Sequence, residues 1–110
     1  MCITDSGGLA VGVAEMAMAG RIGAKVAAPG ADSPAVWFGE DQARYLLAAA
    51  PDKADAILAR ARAAGVPVAV IGETGGDALA LGAAAPTLVR DLLDAHESWM
   101  PAYMAGECAA

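Results

Sequence analysis

Alanine methyls make up nearly half of the apolar complement of this sequence. Apolar residues are 57% of the chain, yet 30 of its 110 residues are alanine. An alanine removes little surface from water when buried, so the core must be thinner than the percentage implies. The length suits one domain with one core. Disorder is excluded, because charged residues are only 18% and mean hydropathy is +0.46. The 13 glycines show no three-residue period, which excludes collagen.

Charge narrows the partners. The net value is −6, from 13 acidic and seven basic side chains, and no Lys/Arg cluster occurs that would grip a phosphate backbone. Nucleic acid is therefore not an expected partner. One histidine and two distant cysteines, Cys2 and Cys108, give no metal-ligand spacing. The cysteines could pair only if the termini meet. No apolar run approaches the roughly 20 residues of a membrane span, and the start lacks a signal-peptide pattern. The expected setting is soluble, reducing and cytoplasmic, with no membrane partner.

The spacing predicts a helix from Ser6 to Gly20, with Ser6 as N-cap and Gly20 as stop. Ile22 to Ala28 reads as a short strand and Gly30 to Pro34 as a loop. Trp37 is expected in the core and Phe38 beside it, followed by a polar turn. Arg44 to Ala50 suits a strand, although its alanines also suit a helix. Pro51-Asp52 opens a second helix, capped by Asp52, with Ile57, Leu58 and Ala61 inward and Gly65 at its end. Val66 to Gly72 is the clearest strand, with Val66, Val68, Val70 and Ile71 β-branched. Thr74-Gly75-Gly76-Asp77 reads as a tight hairpin turn into a strand from Asp77 to Gly82. Pro86-Thr87 starts a last helix running to about Ser98. Trp99 is expected as a core anchor, and the tail around Tyr103 and Met104 is expected to fold back on the body. The predicted class is α+β, a single α/β sandwich over residues 1–110. A mixed or antiparallel sheet carries helices on one face, in the order α-β-β-α-β-β-α.

Three segments could hold chemistry. At Ser6-Gly7-Gly8 a helix start offers free N–H groups and a positive dipole end, and adjacent glycines would let a phosphate approach. The alternative is a capped helix whose glycines serve the turn. At Glu40-Asp41-Gln42-Ala43-Arg44, two carboxylates, an amide and a guanidinium crowd together. Arg44 could grip an anion in a bidentate way, or pair with Glu40 or Asp41 across a solvated turn. The glycine pair at 75–76 is accounted for by hairpin geometry. His96 has no positioned partner in the sequence, and no P-loop, Rossmann or zinc motif occurs.

Taken in order, these stretches resemble the C-terminal end of the large subunit of phosphoribosylformylglycinamidine synthases. The matching residues are Gly7-Gly8-Leu9-Ala10-Val11 with Ala14-Glu15-Met16-Ala17, then Phe38-Gly39-Glu40-Asp41-Gln42 with Arg44-Tyr45. Ala63-Ala64-Gly65-Val66-Pro67, Ile71-Gly72 and Thr74-Gly75-Gly76-Asp77 follow. Ala95-His96-Glu97 with Trp99, Pro101, Tyr103 and Met104 close the series. The resemblance implies the C-terminal α+β domain of the aminoimidazole ribonucleotide synthetase superfamily, here an incomplete one. It also implies an ATP- and Mg²⁺-dependent ligase in purine biosynthesis that makes formylglycinamidine ribonucleotide from formylglycinamide ribonucleotide and ammonia.

Two departures accompany the match. The family has Ser-Asp-Gly-Gly before the first helix, commonly after a His-Asp pair; here Asp5-Ser6-Gly7-Gly8 follows Cys2-Ile3. The family's catalytic histidine and main nucleotide and metal ligands lie upstream and map onto nothing in this chain. The expectation is thus a scaffold piece with no catalytic residue and no metal ligand, inactive alone and holding neither ATP nor Mg²⁺ fully. Ser6, Gly7, Gly8, Glu40, Gln42 and Arg44 would face a neighbouring phosphate or nucleotide. The implied partners are the rest of the large subunit and a glutaminase supplying ammonia, and an exposed sheet surface would favour self-association. A stand-alone nucleotide- or anion-binding module is the alternative.

Overall fold

The computed structural model describes residues 2–3, 7–28, 30, 32–40 and 44–106, the first two by backbone alone. Its elements in chain order are β1 (Cys2–Ile3), α1 (Gly8–Gly20), β2 (Ala24–Val26), α2 (Pro34–Phe38) and β3 (Tyr45–Leu46). Then follow α3 (Pro51–Ala63), β4 (Gly72–Thr74), β5 (Ala78–Leu81), β6 (Thr87–Leu88) and α4 (Val89–Met104). The class is α+β with a mixed sheet, as the sequence predicts, while the element order differs through short additions.

Helix α1 is the centre of the core. Leu9, Ala10, Val13 and Ala17 recur at helical spacing and are buried, and the first three pack with Ala24 and Val26 of β2, Trp37 of α2 and Leu79 of β5. Leu92 of α4 and Leu81 close the cluster at its edge. The helix continues through Gly20, the expected stop, and the left-handed residue falls on Arg21 at φ 51°. There the Arg21 N–H donates to Met18 O and the Ile22 N–H to Ala17 O, a Schellman closure.

The larger sheet has the order β4-β2-β5-β6; a separate ladder joins β1 to β3. Strand β2 pairs antiparallel with β4 and parallel with β5, so it lies between two strands that are neighbours in sequence. The expected hairpin at residues 74–77 is therefore a wrap around the start of β2. Gly23 N–H donates to Gly76 O, and Gly75 N–H donates to Gly23 O. A Cβ on Gly23 would stand 2.2 Å from the Ala78 carbonyl oxygen, so only glycine permits this wrap.

Several other expectations change. Residues 66–71 lie outside the strands, and only Gly72 of the predicted segment enters β4. Their β-branched side chains suit a strand, but among the described residues only Ile71 finds a sheet neighbour, its carbonyl accepting from Ala27 N–H. The predicted strands at 22–28 and 44–50 shrink to Ala24–Val26 and Tyr45–Leu46. The aromatic pair Trp37-Phe38 ends a one-turn helix opened by Pro34, whose fixed φ suits a first helical position. In α3 the cap position is Ala50, with Pro51 at the start and Asp52 in the first turn. Ile57, Leu58 and Ala61 are only half-buried. Thr87 and Leu88 pair with β5 before α4 begins, and α4 runs on through Pro101. Trp99, Tyr103 and Met104 stay exposed instead of packing on the body, Met104 at 75%.

Candidate functional site

The start of α1 meets the segment after α2. The Gly7 N–H donates to Glu40 Oε1 over 2.6 Å, a charge-assisted bond between groups 33 residues apart. A carboxylate at this position also complements the positive end of the helix dipole. Gly7 is left-handed at φ 87° and has no side-chain cap; the acceptor comes from Glu40. Ser6, the expected N-cap, lies outside the described residues.

Gly8 answers the question left open by the glycine pair. Its φ is 82°, and a Cβ there would lie 2.7 Å from the carbonyl carbon of Phe38 and 2.9 Å from the oxygen of Gly39. The close approach that glycine permits is thus made by backbone of the same chain. The β1–β3 ladder pairs Ile3 with Tyr45, which brings the strand after Arg44 alongside the strand leading toward α1. Arg44 is half-buried, with its Nη1 out of solvent. Of the expected site residues the structure thus joins Gly7, Gly8 and Glu40; Gln42 lies outside the described residues.

A second junction was not foreseen from the sequence. Asp32 accepts the indole N–H of the buried Trp37 and, over 3.0 Å, the backbone N–H of Ala83. These bonds hold the Asp32 carboxyl below its ordinary value, the indole bond contributing most. Its only sequence signal is an Asp placed two residues before Pro34, which reads as loop composition. Asp32 fixes α2, and with it the approach of Phe38 and Glu40 to α1.

Beside this junction lies an apolar hollow of about 250 Å³, bounded by Val11, Ala14, Phe38, Leu81 and Leu92. Thr87 is the one hydroxyl among its lining residues, so its chemistry suits apolar cover and not a phosphate. Among the described residues no group of three or more His, Cys, Asp or Glu side chains could hold a metal ion. His96 is exposed on α4. Among the described residues no helix is long and apolar enough to cross a membrane.

Fold and site together define an α+β domain whose glycine-rich helix start is braced by a carboxylate from its own chain. Residues 3–83 match the family model "AIR synthase related protein, C-terminal domain". The chain belongs to that family. It is 54% identical over 105 residues to the phosphoribosylformylglycinamidine synthase subunit PurL of Sinorhizobium fredii NGR234, covering 96% of this chain and 14% of that subunit. The PurL subunit of Methylocella silvestris is 56% identical over 103 residues, covering 92% of this chain and 14% of the subunit. The chain thus spans about one seventh of the length of these relatives. No solved structure gives a significant match.

Proposed function

We propose that this chain acts as the C-terminal α+β domain of a PurL-type synthase. In this reading the assembled enzyme uses ATP and Mg²⁺ to convert formylglycinamide ribonucleotide and glutamine-derived ammonia into the amidine, in the cytoplasm. The observation that supports it most is identity above one half across nearly the whole chain, spanning both sides of the Gly7–Glu40 contact.

The described residues do not by themselves fit a resident nucleotide and metal. The helix-start N–H of Gly7 is engaged by Glu40, and the described residues contain no metal-ligating cluster. No step of the reaction is therefore assigned to this chain. Its part is architectural: Glu40 and Gly8 lock the 38–40 segment against α1. That lock would present Ser6, Gln42 and Arg44 toward a phosphate or nucleotide held largely by the rest of the subunit. The engagement of Gly7 by Glu40 also weighs against a stand-alone anion-binding module, since an incoming phosphate would have to displace a carboxylate already bonded there.

A hybrid enzyme tests this. The matching segment of the Sinorhizobium fredii subunit is replaced by these 110 residues, and ATP-dependent amidine formation is measured with ammonia and then with a glutaminase present. The hybrid should retain activity, while the isolated chain should show none and should give no heat on titration with ATP. A folded but inactive hybrid, or turnover by the chain alone, would overturn the reading.

A further inference from the structure

A one-turn helix such as α2 does not persist on its own hydrogen bonds, so its direction is set by its anchors. The first anchor is Asp32, two residues before it. Asp32 Oδ1 accepts the indole N–H of Trp37, and Oδ2 accepts the Ala83 N–H over 3.0 Å. The turn at 82–83 is itself fixed to the sheet, since the Gly82 N–H donates to Val26 O over 2.8 Å. Gly82 is left-handed at φ 57°, and a Cβ there would stand 2.6 Å from Asp32 Oδ2. The carboxylate therefore lies against bare backbone, a close approach that glycine permits.

The second anchor is the start of α1. Backbone of Phe38 and Gly39 fills the space beside Gly8, and Glu40 accepts the Gly7 N–H over 2.6 Å. Between the two anchors the chain runs roughly 7–8 Å through α2, so a tilt at Asp32 is passed on to Glu40. Burial of Trp37 alone requires one acceptor for its indole. An acceptor with two free oxygens is needed to reach the indole and the 83 turn together, and asparagine, with one oxygen, loses one of them.

We propose that Asp32 is a positioning residue: through α2 it sets where Glu40 and the residues after it stand against the start of α1. Its consequence for the reaction rests on the synthase reading. There Asp32 governs how tightly the assembled enzyme holds a phosphate-bearing substrate beside Gln42 and Arg44, without touching that substrate. The two bonds of Asp32 and the Gly7–Glu40 bond have no residue in common, so any coupling between them passes through α2.

A double-mutant cycle in the 110-residue chain, read by urea unfolding at neutral pH, tests the positioning. Glu40→Ala should shift the unfolding constant about tenfold in the parent and less than about threefold beside Asp32→Asn. Unconnected sites add, so a purely local role for Asp32 would leave the two shifts equal. In the hybrid with the Sinorhizobium fredii subunit, Asp32→Asn should raise KM for formylglycinamide ribonucleotide or for ATP. The expected rise is at least about fivefold, with kcat within about twofold of the parent hybrid. The substrate whose KM moves identifies the phosphate held nearby. A domain that is merely less stable loses active enzyme, which lowers apparent kcat and leaves KM alone. Gly65→Ala, at a left-handed glycine surrounded by open space, is the control and should leave both KM values unchanged. Should Asp32→Asn unfold the chain, Trp37→Phe, which removes the indole donor and keeps the carboxylate, must show the same non-additivity. Equal Glu40→Ala shifts in the two backgrounds, or unchanged KM for both substrates, would overturn the proposal. An inactive parent hybrid would overturn the synthase reading instead, and the cycle alone would then decide the positioning.

Discussion

Trp37 and Asp32 hold each other across the start of α2: the indole N–H donates to Asp32 Oδ1, while Oδ2 accepts from Ala83 N–H. The carboxylate thereby ties a core tryptophan to the turn that follows β5. Because its folded value lies below the ordinary one, the charged form is favoured in the native state. The stabilisation is fully present above the unfolded carboxylate value of about 3.9 and is lost as pH falls through the lower folded value. Asp32→Asn should lower the thermal midpoint at neutral pH. The gap between variant and parent should close below pH 4, which thermal melts across pH 2.5–7 read directly.

Gly8 has two separate reasons to be glycine, a left-handed backbone and a neighbouring backbone. Gly8→Ala should therefore cost about 2–4 kcal/mol, the sum of conformational strain and overpacking. Gly65 is also left-handed, at φ 73°, but open space surrounds it. Gly65→Ala should cost only about 1–2 kcal/mol. Urea midpoints for the two variants check the difference.

Arg21 closes α1 in the left-handed region although it has a Cβ. Arg21→Gly should raise stability by about 1 kcal/mol, visible as a higher urea midpoint with an unchanged slope.

Glu40→Gln keeps an acceptor for Gly7 and removes the charge. A loss of about 0.5 kcal/mol at low salt, shrinking in about 1 M NaCl, is expected for the helix-dipole part of the contact. Glu40→Ala removes the acceptor as well and should cost about 1–2 kcal/mol. Chemical denaturation at two ionic strengths separates the two contributions.

Helical spacing located α1, α3 and the first half of α4 to within a few residues, because those signals are local. The strand predicted from Asp77 to Gly82 was legible for the same reason, and β5 occupies Ala78–Leu81 within it. Pairing was not legible. Val66 to Val70 has strand chemistry but pairs with no strand among the described residues, and Thr74 to Asp77 has hairpin chemistry in a loop that encloses another strand. Trp99 and Tyr103 look like core residues by type, and only their position beyond the body shows otherwise. At the candidate site the residue types were visible, but the bond between Gly7 and Glu40 joins positions 33 apart. Spacing therefore could not tell whether Gly8 made room for a ligand or for Phe38. Asp32 was missed because its partners, Trp37 and Ala83, define its role only once folded.

The placement of β2 between β4 and β5 carries a temporal consequence. The middle rung of the sheet is synthesised early, and both rungs that flank it emerge roughly fifty residues later. On the ribosome, Ala24 to Val26 must wait unclosed until Leu81 has left the exit tunnel. Translation pauses placed before that point should lengthen the vulnerable interval, and pauses placed after it should not.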